Sequence, residues 1–161
     1  MSPDTGSERA AMRITDALLG EHGVLYALFD RIEAELEGGA DSAPHARVLE
    51  AVLRSHARTE DELLFEEMAS REGGDGGPAP AMIEEHEEVA TLLDRAERVS
   101  GEDLRKVLTE VMALARDHFR REEDAAFPVA ETMLGDARLR ELGAEWGARR
   151  RVSLKGGSHE R

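Results

Sequence analysis

Cysteine is missing altogether, and aromatic side chains make up only 4% of the 161 residues. The first absence excludes disulfides, thiolate metal sites and cysteine nucleophiles, so any metal site must use His, carboxylate or Tyr. The second points to helices with an aliphatic core. Basic side chains are outnumbered: 21 Lys and Arg stand against 35 Asp and Glu, a formal net charge of −14. That balance argues against nucleic acid or an anionic membrane as partner. No apolar run approaches the ~20 residues of a membrane span, and no signal-peptide pattern opens the sequence. The expected location is the cytoplasm. The length suits one domain with its own core.

What is present is a stretch that occurs twice. His56-Ala57-Arg58-Thr59-Glu60-Asp61-Glu62-Leu63-Leu64-Phe65 is matched by His118-Phe119-Arg120-Arg121-Glu122-Glu123-Asp124-Ala125-Ala126-Phe127. In each, Glu follows His by four residues and Phe follows it by nine. Both copies lie in segments of helical periodicity, where positions i and i+4 share a face. Apolar neighbours turn that face inward. A buried imidazole beside a buried carboxylate is costly unless something satisfies both. A metal ion does so; the alternative is a hydrogen-bonded His–Glu pair in a helical core. Two copies, with two more inward histidines, favour the metal.

Taken in order, residues 1–12 read as a flexible arm. A first helix is expected over Ile14 to Glu37, with Leu18, His22, Leu25, Phe29, Ile32 and Leu36 as its seam. Thr15 is its candidate cap. Gly20 and Gly23 flank His22, giving room for a helix or a ligand, and Tyr26 lies one turn further on. Gly38, Gly39 and Asp41 end this helix. A second helix starts near Ser42, with Leu49, Leu53, His56, Glu60, Leu63 and Leu64 inward and Asp61 and Glu62 outward. The glycine- and proline-rich stretch 73–80 reads as a loop. A third helix spans about Ala81 to Val99 with His86 inward, and Glu84, Glu85, Glu87 and Glu88 on its wet faces. Ser100-Gly101-Glu102-Asp103 resembles a capping box before a fourth helix carrying Leu104, Val111, His118 and Glu122. Pro128 is expected to disturb or end it around Phe127. A short helix from about Asp136 to Arg150, with Leu139, Leu142 and Trp146, packs on the bundle, before a basic, disordered tail over 151–161. The fold class is all-α: an antiparallel up-down four-helix bundle over 13–130, with a C-terminal helical supplement over 131–150.

Each long helix thus supplies one inward histidine: His22, His56, His86 and His118. One metal ion could use most of these together with Glu60 and Glu122; two ions use them more naturally, with two His on each and both Glu shared. The internal repeat points the same way, to two half-sites related by a pseudo-twofold. Nitrogen and oxygen donors without sulfur suit iron, manganese or zinc. The Glu-x-x-His order of ferritin-like bundles fails here, because Leu19, Leu53, Ile83 and Ala115 stand three residues before the four histidines.

The ordered set His22, His56-x-x-x-Glu60, His86, His118-x-x-x-Glu122, followed by Phe127-Pro128, resembles the hemerythrin-like domains of the HHE cation-binding family over about residues 14 to 130. The resemblance implies a non-haem di-iron centre with an oxo or hydroxo bridge. His22 and His56 would serve one iron, His86 and His118 the other, and Glu60 and Glu122 would bridge. Two departures stand out. Oxygen carriers of this type have a further His one turn along the third helix, where Met82 and Ala90 flank His86 here. Tyr26 is the candidate additional ligand, with a core Tyr as the alternative. Oxygen carriers also place the last bridging acid five residues after the His. That position is Glu123, whereas helical phase and the match to Glu60 favour Glu122. Both departures weaken a reversible O2 carrier and suit chemistry with O2, peroxide or NO in oxidative or nitrosative stress, with catalase- or peroxidase-like activity in view. An iron storage or sensing module, and a metal-free helical interaction protein, are the alternatives.

Overall fold

In the computed structural model, which describes residues 12–72 and 77–152, every regular element among the described residues is helical. Helix α1 (Ile14–Glu37) buries Leu18, His22, Leu25, Phe29, Ile32 and Leu36, the stripe that steps of three and four place on one side. No side chain caps its start. Thr15 lies inside the first turn and donates its hydroxyl to Glu131 at 3.0 Å. Asp41 caps α2 (Ser42–Glu60) by accepting from the Ala43 N–H at 3.1 Å. Pro44 stands in the first turn of α2, where a missing N–H costs little.

After Glu60 the chain makes a π-turn over Asp61–Phe65 and continues as the short α3 (Glu66–Glu72). Helices α4 (Ala79–Ala96) and α5 (Gly101–Arg121) follow, and a second π-turn, Glu122–Ala126, leads into α6 (Phe127–Arg150). The π-turns resolve a phase problem in the repeated stretch. On a regular helix, nine steps of ~100° put the Phe on the face opposite the His. Each π-turn takes up one residue, with the Glu66 N–H on the Asp61 carbonyl and the Phe127 N–H on the Glu122 carbonyl, both five residues back. Phe65 and Phe127 return to the inner face, 0% and 2% exposed.

Pro128 does not end the helix near Phe127. It falls in the first turn of α6, just after the π-turn, where its missing N–H is tolerated. The break comes at Gly135, whose φ of +76° suits glycine. From Asp136 to Arg150 the chain is helical again and packs through Leu139 and Leu142. The third long helix begins at Ala79 and ends at Ala96, a little earlier than the periodicity predicts. Ser100 precedes α5 but makes no capping bond with its side chain. A Cβ on Gly20 or Gly23 would meet nothing within 4 Å, so among the described residues no helix packs against either, and Gly20 borders an open groove instead. The expected loose arm, glycine-rich loop and disordered tail fall largely on 1–11, 73–76 and 153–161, outside the described residues.

Two apolar clusters form the core. One includes Leu25, Phe29, Leu53, Val89, Ala115 and Phe119; the other includes Leu18, Leu63, Leu64, Met82, Ala126 and Phe127. At ~1.5–3 kcal/mol for each large buried side chain, these two clusters hold the helices in place. On α1, α2, α4 and α5 the inward histidine lies where one cluster gives way to the other. The histidines therefore form a polar layer between two apolar ones.

Candidate metal centre

Within that layer His22, His56, His86, His118, Glu60 and Glu122 are all buried, none more than 8% exposed. Each imidazole turns Nε2 inward. His22 Nε2 lies 3.4 Å from Glu60 Oε1 and 3.1 Å from Glu122 Oε2. His56 Nε2 is 3.1 Å from Glu60 Oε1. On the other side His86 Nε2 is 3.1 Å from Glu60 Oε2, and His118 Nε2 is 2.9 Å from Glu122 Oε1. Across the pairs, His22 and His56 approach to 3.1 Å through Nε2, and His86 and His118 to 2.8 Å. Two groups result, His22/His56/Glu60/Glu122 and Glu60/His86/His118/Glu122, each with donor atoms within 4.8 Å of one another. Both carboxylates belong to both groups. The alternative bridging acid, Glu123, stands outside them.

Each Nδ1 meets a different acid. His22 Nδ1 is 2.9 Å from Glu123, His56 Nδ1 2.7 Å from Glu21, His86 Nδ1 2.7 Å from Asp61, and His118 Nδ1 2.6 Å from Glu85. A carboxylate on Nδ1 holds the proton there and leaves the Nε2 lone pair facing in, as metal-ligating histidines require. With Nε2 deprotonated the interior contains only lone pairs and carboxylate oxygens, which either protons on Nε2 or metal ions must fill. Glu60 Oε1 and both oxygens of Glu122 have no hydrogen-bond partner. Leaving such groups unpaired in a closed interior costs several kcal/mol, and cations are what this donor set fits.

Without metal, protons take that place. Burial opposes charging His22, but Glu122 and Glu60 outweigh it and raise its pKa to about 10. For His56 the same opposition is overcome by Glu60 and Glu21, to about 9. For His86 it is overcome by Asp61, Glu122 and Glu60, to about 12. Burial pushes the Glu60 carboxyl up, yet the imidazoles of His56, His22 and His86 hold it well below the usual carboxylate range. Protons and metal compete for the same Nε2 lone pairs, so metal uptake releases protons.

Two of the four outer acids lie elsewhere than helical periodicity predicts. Asp61 and Glu85, expected on wet faces, are 25% and 18% exposed at the side chain and reach across to His86 and His118. The repeat holds the signal for them. An acid directly precedes His22 and His86, namely Glu21 and Glu85. Another directly follows Glu60 and Glu122, namely Asp61 and Glu123. Tyr26 lies outside the inner groups, its hydroxyl 3.3 Å from Glu123 Oε1. Burial and the Glu123 charge push its pKa up to about 12, so at neutral pH the phenol keeps its proton and donates to Glu123.

The two halves differ at one point. Phe119 stacks on His22, ring centroids 4.1 Å apart. Its counterpart in the first copy is Ala57. A small space of about 10 Å³ lies there, bordered by Ala57, Ala115, His86, His118 and Phe119.

By fold and site, this is an all-helical protein with two carboxylate-sharing groups able to hold metal. The particular family follows from comparison: residues 13–130 match the hemerythrin HHE cation-binding domain, and the chain belongs to that family. No curated protein and no solved structure matches it.

Proposed function

We propose that the chain is a non-haem di-iron protein of the hemerythrin type that reacts with O2, peroxide or NO, in defence against oxidative or nitrosative stress. The observation that carries this reading is the pair of shared, otherwise unpartnered carboxylates between two histidine pairs. His22 and His56 would hold one ion, His86 and His118 the other, with Glu60 and Glu122 bridging. Iron there, with an oxo or hydroxo bridge, supplies one-electron redox chemistry and a place for a small ligand. An up-down antiparallel course for the four long helices fits this reading. Along α1 and α4 the Leu18/Met82 cluster comes before the histidine; after the histidines of α2 and α5 it comes in the π-turns and the helices that follow them.

The protein's own part is to orient and to exclude water. The four outer acids hold the proton on Nδ1. Phe119 covers His22, and Phe127 lies on the same ring at 5.5 Å. That leaves the His86/His118 side, where Ala57 replaces an aromatic and no second histidine stands one turn from His86, as the side that admits a small ligand. Tyr26 acts through Glu123, with its proton in place.

Rapid mixing of the iron-loaded protein with peroxide, NO and O2, followed optically, tests the reaction class. Fast consumption of peroxide or NO is expected; a reversible oxy-form stable for hours would contradict it. Ala57→Phe fills the small space. It is expected to keep both metals and weaken azide or NO binding about tenfold, which is ~1.4 kcal/mol of ligand affinity.

A further inference from the structure

One outer acid is held differently from the rest. Glu21, on α1, receives the Trp146 indole N–H on Oε1 at 3.0 Å and Arg150 Nε on the same oxygen at 2.6 Å. Arg150 Nη2 reaches Oε2 at 3.3 Å, and Oε2 is the oxygen 2.7 Å from His56 Nδ1. Arg150 Nη1 also donates to Ser55 Oγ at 2.6 Å, one residue before His56. The matching acid in the second half, Glu85, is met by Arg121 Nε at 2.8 Å, from a side chain 48% exposed on the same helix as His118. Trp146 and Arg150 come from α6, beyond the residues that match the family.

Local packing explains how α6 reaches so far. A Cβ on Gly143 would collide with the carbonyl of Met12, so glycine is what lets this end of α6 lie against the start of α1. Trp146 packs against the second apolar cluster. It is half-buried and borders an open groove with Ala17, Gly20, Val24 and Val52. Its polar contact with Glu21 sits at the inner end of that groove, next to His56.

We infer that the end of α6 is a clamp that makes the two metal half-sites unequal: Trp146 and Arg150 fix Glu21, and Glu21 fixes the His56 ring with Nε2 toward the inner group. Trp146, Arg150 and Glu21 are positioning residues. Two donors on the carboxylate stop it from rotating away from Nδ1, and the tie to Ser55 fixes the backbone that carries His56. The His22/His56 half therefore depends on the C-terminal helix through Glu21, whereas α6 gives Asp61 and Glu85 of the other half no hydrogen bond or ion pair and, among the described residues, meets it only through Arg149 on Glu62, beside Asp61, at 2.7 Å. This rests on the two-metal reading above.

The test is a titration of the full, metal-stripped chain with cobalt(II), whose visible bands report the ligand geometry at each ion. Wild type is expected to take up two equivalents. In a Trp146→Phe, Arg150→Gln double variant, one equivalent is expected to bind as in wild type. The other should bind about 10–100-fold more weakly, the usual cost of losing an outer partner of a ligating His, with its bands altered. Arg150→Lys with Trp146 intact is expected to recover much of the loss. Both equivalents binding as in wild type would overturn the clamp. So would equal weakening of both, which marks mere support of the fold. If the double variant does not fold, Trp146→Phe and Arg150→Gln are titrated singly, and wild-type affinity at both sites in both variants overturns the inference. A wild-type chain that binds no metal sinks the two-metal reading itself, whatever the variants do.

Discussion

An imidazole at the end of a seam of leucines is an ordinary sight; four that all turn Nε2 inward and Nδ1 onto an acid are not. At the residue scale this orientation separates the roles of neighbouring acids. Glu122 faces both histidine pairs, while Glu123, one residue on, touches only His22 and Tyr26. Glu122→Gln is therefore expected to abolish binding of both ions. Glu123→Gln should weaken one ion by about 10–100-fold. Metal content after desalting distinguishes them, and the opposite ranking would exchange their roles. Tyr26→Phe is expected to keep two ions and an unchanged visible spectrum in the ferric state. A phenolate band present in wild type and lost in the variant would make Tyr26 a ligand instead.

Legibility differs from residue to residue. The six inner residues were readable because a period of three and four, bounded by leucines, fixes which way a side chain points. Asp61 and Glu85 were not. They stand about 100° from the inward direction on their own helices, and only the packing of a second helix turns that flank into a contact. Glu21 was hidden for the further reason that its partners, Trp146 and Arg150, lie 125 and 129 residues away.

At the element scale the π-turns after Glu60 and Glu122 matter most. Helical phase read without them sends Phe65 and Phe127 outward, yet Phe127 lies 5.5 Å from His22 and Phe65 lies 5.9 Å from His86. The nine-residue spacing from His to Phe was visible in the sequence, but no propensity marks a π-turn. Such turns are frequent at functional sites. Since each is one extra residue, removing exposed Glu62 should convert the first into regular helix and leave Phe65 in phase with His56. This deletion is expected to retain two metals per chain. Removing exposed Ala51 instead rotates Leu49 by ~100° relative to His56 and should destroy both fold and binding. Circular dichroism with metal analysis reads the difference. Equal damage from both deletions would deny the π-turns this role.

At the scale of the whole molecule, a polar layer sits between two apolar cores, and its charge balance decides how stability depends on pH. Without metal, His22, His56 and His86 have pKa values raised above the ordinary 6.5, to about 10, 9 and 12. A raised histidine pKa contributes stability that is full below the unfolded value and is lost as pH rises through the folded one. The metal-stripped chain is thus expected to melt at progressively lower temperature as pH rises from about 6.5 toward 9 and beyond. Metal needs the same nitrogens deprotonated, so the loaded chain should lose little over that range. Parallel curves for the two forms would mean that the layer does not bind metal through these imidazoles. No helix among the described residues is long and apolar enough to cross a membrane.

The central claim is that this layer holds two metal ions between four histidines and two shared glutamates. Elemental analysis of freshly purified, untagged protein tests it most directly. Close to two irons per chain are expected, falling to near zero in Glu122→Gln. Iron near zero in the wild-type protein, even after anaerobic loading with ferrous iron, would contradict it and leave the inward histidines as a structural network or as ligands for another metal.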